Sequence, residues 1–359
     1  MSLSAQDLPK AELHVHHVGS ASVETVTKLA QRHEGSTDVP ADPEALARFF
    51  EFTDFGHFID VYLSVVDLLR TPEDLWTLTH DVGRDLAAQN VRYAELTLTP
   101  YTSMAVGISA EAYVEAVEDA RRRVEADTGI TLRWCFDIPG ESGLPAADST
   151  LDVALRLRPE GLVSFGLGGP EVGVPRPQFK PHFDAARAAG LHSVPHAGES
   201  TGPQTIWDAI HHLGAERIGH GIAAVHDPEL MAHLAAERIP LEVCPTSNVR
   251  TRSVPSLEEH PLPTLVAAGV PVTINSDDPP MFGTTLNTEY DVARDLLDLD
   301  DPGLVELARS AVEFSFAPTD VKIAINAELD ALLAPRAPRS LSKGRFGPAD
   351  PSPLSCSGY

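Results

Sequence analysis

The sequence predicts a single (β/α)8 barrel of the TIM class, with a helical insertion after its first strand. Three observations predict it. Eight short apolar runs recur along the chain, each running into Gly, Pro, Asp or Asn. Longer stretches of helical period separate them. The length of 359 residues suits one α/β barrel with insertions.

In chain order the runs are 11–17 (AELHVHH), 91–99 (VRYAELTLT), 131–138 (TLRWCFDI), 162–169 (LVSFGLGG), 191–198 (LHSVPHAG), 217–221 (RIGHG), 240–247 (PLEVCPTS) and 270–277 (VPVTINSD). Several open with few polar residues, as strands buried on both faces do. Between them, 109–127 reads as a helix with Ala112, Val114, Ala116, Val117, Ala120 and Val124 near one stripe. Residues 228–237 open with Pro at a first helical position. Strand then helix, repeated eight times on one core, implies a closed parallel barrel rather than an open doubly wound sheet. No G-x-G-x-x-G follows the first strand, and GLGGPEVG departs from that pattern.

Roughly 75 residues separate the first two runs, more than one crossover helix needs. Within them 44–70 is apolar, aromatic-rich and helical. It is expected to fold over the barrel mouth as a lid and pocket wall. The barrel is expected to occupy 1–334. Residues 335–359 turn rich in Pro, Ser and Gly without apolar period, the pattern of a disordered tail.

Composition excludes several classes. Apolar residues make up 43% and charged residues 22%, which rules out a wholly disordered or collagenous chain. The formal net charge of −25, from 27 Lys+Arg against 52 Asp+Glu, repels phosphate backbones and anionic lipid. Neither nucleic acid nor a membrane surface is an expected partner. Cys135, Cys244 and Cys356 form no C-x-x-C pair, so a thiolate zinc site and a disulfide framework are both excluded. Cys135 and Cys244 lie in apolar runs and read as buried thiols. No signal-peptide pattern and no long apolar span occurs, so the expected location is the cytoplasm. The oligomeric state is not legible.

The informative polar residues fall at the C-terminal ends of the runs, where barrel active sites form. His14 and His16 end the first, His196 and Glu199 the fifth, His220 the sixth, and Asp277 and Asp278 the eighth. On a strand, residues i and i+2 share a face, about 6.6 Å apart, so both imidazoles of H-x-H can converge on one ion. Taken singly, each motif has a bland reading: a turn-capping His, an Asx turn in SDDPP, a loop in HAGE. Together, three imidazoles (His14, His16, His196) and the Asp277 carboxylate suit one zinc ion, which lowers the pKa of a bound water. Iron or manganese can fill a similar donor set.

Hydrolysis at an sp² ring carbon needs two further groups. One takes the water proton and orients the nucleophile, and His220 can serve. Another protonates the adjacent ring nitrogen, and Glu199 is placed for that. Asp278, next along an extended strand, should point away from Asp277; it can hydrogen-bond the hydroxide or a base-edge nitrogen. His57, His80, His182, His192, His211, His212, His226, His233 and His260 receive no role. His17 is expected to face the helices as a packed histidine.

The motifs PKAELHVH, FGLGGPE, HAGE, RIGHG, CPTSN and SDDP, in this order and spacing, resemble the adenosine deaminase family of the amidohydrolase superfamily over about 10–330. The resemblance implies zinc ligands at His14, His16, His196 and Asp277. It implies a proton donor to purine N1 at Glu199, a hydroxide-orienting base at His220 and a second aspartate at Asp278. It also implies a glycine at Gly169 whose backbone contacts the purine. His16, Gly169 and Asp278 are thus the expected substrate contacts. Binuclear superfamily members carry a bridging lysine on the fourth strand; LVSFGLGG has none, so one metal is implied.

Two departures from the family bear on substrate. Members acting on adenosine usually read H-x-H-L-D-G, and the Asp hydrogen-bonds the ribose 5′-hydroxyl; this chain reads His16-His17-Val18-Gly19. Pro170 replaces the usual Asp after the glycine. A pocket without the hydroxyl partner relaxes the demand for it. The expected substrate is therefore an adenine nucleoside with a modified 5′ end. The variant resembles family members that deaminate 6-aminodeoxyfutalosine, a menaquinone precursor with a bulky aromatic 5′ substituent. The alternatives are an adenosine deaminase that tolerates Val18, a free adenine deaminase, and a catalytically silent metal-barrel binding protein.

Overall fold

A computed structural model describes residues 3–53 and 55–334; the tail expected at 335–359, with Cys356, lies outside the described residues. Eight parallel strands follow one another in chain order: β1 Lys10–His16, β2 Val91–Leu98, β3 Thr131–Pro139, β4 Leu162–Gly168, β5 His192–Ala197, β6 Ile218–His220, β7 Leu241–Val243 and β8 Val272–Ile274. Past β8 the chain returns to β1 through a bridge between Val15 and Asp277. There His16 N–H donates to Asp277 O at 2.9 Å and Asp277 N–H donates to His14 O at 3.0 Å. The result is the nearly closed barrel that the eight runs predict.

The strands bury both faces, as a helix-wrapped parallel sheet requires. Leu96, Leu98, Trp134, Phe136, Ile138, Phe165 and Leu167 are all fully buried. The last three strands are shorter than their apolar runs. At the last residue of β6 His220 (φ +58°), and beyond β8 Asp277 (φ +64°), adopt the left-handed region. Non-glycine residues persist there only when their surroundings hold them.

The helices carry the signals that predict them. Ala110–Thr128 is capped by Ser109, whose side chain accepts from Ala112 N–H, and is closed by Gly129 at φ +77°. Its buried stripe is Tyr113, Ala116, Val117, Ala120, Arg121 and Val124. Ala112 and Val114 sit half-buried beside it, because Tyr113 and an ion pair take the centre of the face. Arg121 Nη2 donates to Glu118 Oε2 at 2.8 Å, and Glu118 Oε1 accepts from Trp134 Nε1 at 2.8 Å. An apolar pattern cannot register a buried charge pair. Pro228–Glu237 begins at its proline, as predicted, with Asp227 as its cap.

The insertion after β1 holds Val23–Arg32, Pro43–Phe49 and Phe55–Val66, and Pro72–Ala88 then leads into β2. The apolar stretch 44–70 thus holds two helices rather than one. Between them Phe52 meets Phe58 and Phe282, with ring centroids 5.2 and 5.9 Å away. Phe58 meets Phe282 at 4.9 Å. The insertion therefore packs across the mouth onto the segment that follows β8. Among the described residues no helix is long and apolar enough to cross a membrane.

Candidate active site

The strand ends deliver the predicted residues to one place. His16, Gly169, His196, Glu199, His220, Asp277 and Asp278 border a single cavity at the C-terminal mouth. His14 lies directly beneath it, 2% exposed. His16 Nε2 is 3.2 Å from His196 Nε2 and 3.3 Å from Asp277 Oδ1. His14 Nε2 is 3.7 Å from Asp277 Oδ1 and is buried with no hydrogen-bond partner. Four donors around an ion at about 2.1 Å in tetrahedral array would stand about 3.4 Å apart. These spacings fit a metal ion, as does the orphaned His14 nitrogen. Burial lowers the His16 imidazole to about 4 and holds that of His196 well down too. Both rings are therefore neutral donors. Cys244 also adjoins His14 and Asp277, and burial raises its thiol above the ordinary value.

A layer of residues to which the sequence assigns no role holds this cluster. His14 Nδ1 meets Glu242 Oε2 at 2.9 Å, and Glu242 Oε1 accepts from Arg217 Nε at 2.6 Å. Burial alone would push the Glu242 carboxyl up, but Arg217 and His14 hold it below its ordinary value. Ser247 Oγ donates to Asp277 Oδ2 at 2.6 Å. A relay fixes His220. Leu262 N–H donates to His260 Nδ1 at 3.1 Å, so His260 carries its hydrogen on Nε2, 3.1 Å from Asn248 Oδ1. The Asn248 amide then donates to His220 Nδ1 at 3.2 Å. His220 thus bears its hydrogen on Nε2, facing Glu199 Oε2 at 3.7 Å and Asp277 Oδ2 at 3.9 Å.

Glu199 follows Gly198, whose φ of +72° turns the chain into the mouth. The Glu171 carboxylate accepts from the N–H groups of Glu199, Ser200 and Thr201 and pins that turn. Burial raises the Glu199 carboxyl, as do the charges of Asp277 and Glu171, against the pull of His220. A raised carboxyl keeps its proton nearer to neutral pH.

Asp278 departs from strand alternation. The left-handed Asp277 turns the backbone, so both carboxyls face the cavity, within reach of His16. Gly19 leaves room for this: a Cβ there would overlap Asp278 Oδ1. His17 Nε2 lies 2.9 Å from Thr79 Oγ1 of Pro72–Ala88, and the residue also borders the cavity. Of the histidines given no role, His192 pairs with Glu216 at the far end of the barrel and His182 with Asp148. Only His260 among those placed here reaches the site, through Asn248. Its position in a loop, with no motif around it, carries no signal of this. The CPTSN motif holds Ser247 and Asn248, but spacing alone does not say what they touch.

A family model described as adenosine deaminase matches residues 9–332. The chain belongs to the adenosine deaminase family. It is 65% identical over 329 residues to the aminodeoxyfutalosine deaminase of Streptomyces avermitilis, spanning 91% of this chain and 92% of that protein. The crystal structure of an adenine deaminase from Arthrobacter aurescens matches with TM-score 0.86 and 33% identity, covering 91% of this chain and 99% of the other. An amidohydrolase from Burkholderia ambifaria, solved with bound zinc, matches with TM-score 0.84 and 26% identity over 92% of each chain. Like its relatives, this family member is an enzyme.

Proposed function

We propose that the protein is a zinc hydrolase that removes the 6-amino group of an adenine nucleoside bearing a bulky apolar 5′ substituent, with 6-aminodeoxyfutalosine as substrate. The observation that carries the reading is Val18, which borders the cavity where adenosine-specific members of the family place an aspartate. Phe58, Tyr62, Leu63 and Phe282 border the same cavity. These apolar groups can hold an aromatic substituent but offer a free 5′-hydroxyl no carboxylate. The identity to an aminodeoxyfutalosine deaminase over 91% of the chain supports the same choice.

Bound by His14, His16, His196 and Asp277, zinc would polarise a water and bring its pKa toward neutrality. The protein's own groups do the rest. His220, left by the relay with its hydrogen on Nε2, does not take the water proton as the sequence suggests; it donates from Nε2 to the attacking water oxygen and holds a lone pair toward C6. Glu199 enters protonated and gives its proton to N1 as C6 loses aromatic character. It recovers a proton from the attacking water and passes it to the amino nitrogen, which leaves as ammonia. The hydroxyl proton returns to Glu199 as the C6 carbonyl forms. Water thus supplies the oxygen at C6, and the proton count closes. Asp278 faces the same space and can accept from the water or donate to a base-edge nitrogen. The Gly169 N–H contacts the far edge of the purine.

The test is to incubate zinc-loaded protein with 6-aminodeoxyfutalosine and follow loss of adenine absorbance with release of ammonia. Stoichiometric ammonia, abolished by a chelator and restored by zinc, is the expected result. Turnover that survives removal of all metal would sink the proposal.

A further inference from the structure

Asp137, at the C-terminal end of β3, belongs to none of the groups above. It is 4% exposed and borders the cavity. Its Oδ1 is buried without a hydrogen-bond partner. Its neighbours make room for it. A Cβ on Gly168 would lie 2.6 Å from Asp137 Oδ2, and one on Gly166 3.2 Å from Oδ1. Two inward-facing glycines on β4 thus clear space for one carboxyl. A buried polar atom without a partner is costly. A carboxyl kept in that condition on a cavity wall is open to a hydrogen bond from a ligand.

Topology says which part of the ligand. The reacting cluster occupies the ends of β1, β5, β6 and β8, and Asp137 sits on β3 against β4, the other arc of the barrel. In a purine, C6 and N9 lie at opposite ends of the bicycle. With C6 at the cluster, N9 and its sugar point to the Asp137 arc. We propose that Asp137 receives the 2′,3′-diol of the ribose and is a specificity-determining residue for the nucleoside. This rests on the nucleoside reading above. Burial holds its carboxyl well above the usual range, so the acid form can both donate to and accept from hydroxyls.

The test uses 5′-deoxyadenosine and its further 2′-deoxy and 3′-deoxy forms, with the zinc-loaded wild type, Asp137→Ala and the near-isosteric Asp137→Asn. Zinc content and melting temperature check that each variant is folded. The wild type is expected to favour the diol substrate by about 10²-fold or more in kcat/KM over at least one deoxy form. Asp137→Ala is expected to bring that ratio to within about threefold, mostly by losing the diol substrate; Asp137→Asn, which can still donate and accept, should fall between. A wild type that ignores the diol, or a ratio unchanged in the folded variants, overturns the role of Asp137 and leaves the nucleoside reading standing. Should alanine prevent folding, the asparagine ratio decides alone. Wild-type preference for free adenine over every nucleoside overturns both.

Discussion

Glu242 Oε2 lies 2.9 Å from His14 Nδ1, with both side chains buried, and this contact decides which nitrogen His14 offers to the cavity. An ionised Glu242 requires a hydrogen on Nδ1, so Nε2 presents its lone pair. Arg217 keeps the carboxylate ionised, while its Nη1 donates to Phe314 O at 3.1 Å and its Nη2 to Glu95. Glu95 in turn accepts from Tyr93 OH at 2.9 Å and from Phe316 N–H at 2.7 Å. The metal cradle is thereby tied to the floor of the barrel and to the segment after its last strand.

Glu242→Gln keeps the volume and removes the anion. Zinc affinity is expected to fall about 10–100-fold, as for other partners of metal-binding histidines. The melting temperature should also drop, because Arg217 loses a buried partner. A zinc competition titration and a melting curve check this. Unchanged zinc affinity would show that Glu242 does not orient His14.

Glu199→Gln is expected to lower kcat by roughly 10²–10⁴-fold with intact zinc content, since the amide cannot supply a proton. The pH dependence follows from the direction of the shift. Burial raises the carboxyl, and the active form is protonated. Activity should therefore hold at low pH and decline as pH rises through that raised value. The decline should be absent from the residual activity of the variant. A rate that rises with pH in that range would assign Glu199 another role.

Gly19 is occupied by absence: a Cβ there would overlap Asp278 Oδ1. Gly19→Ala is expected to displace the Asp278 carboxyl and lower kcat by about 10²-fold, the scale of a misplaced catalytic group. Zinc binding by the His cluster should persist. Steady-state kinetics beside metal analysis separates the two effects.

Val18→Asp restores the carboxylate found in adenosine-specific relatives. The variant should gain on adenosine and lose on substrates with an apolar 5′ group, moving their kcat/KM ratio by about 10²-fold. Kinetics on adenosine and 5′-methylthioadenosine measures it, and an unmoved ratio would place the 5′ end away from Val18.

The strand ends were legible because barrel strands alternate with helices and because chemistry-bearing residues stand where the apolar runs stop. What escaped were features that only closure of the barrel creates. Glu242, Ser247, Asn248 and His260 reach the site from β7 and the chain beyond it, and no spacing rule connects them to His14 or His220. Asp278 was expected to point away, since strand alternation says so; the left-handed Asp277 breaks that alternation. Asp137 sat in an apolar run with no motif, and only the two glycines of the neighbouring strand reveal the space kept for it.

Val18 and the apolar residues of the cavity point to a deaminase built for an adenine nucleoside with an apolar 5′ end. Its most direct test is kcat/KM for 6-aminodeoxyfutalosine, 5′-methylthioadenosine, adenosine and free adenine on one zinc-loaded preparation. 6-Aminodeoxyfutalosine is expected to be deaminated best, with both 5′-modified nucleosides exceeding adenosine and adenine. Preference for adenosine would contradict the reading of Val18, and preference for adenine would contradict the nucleoside itself.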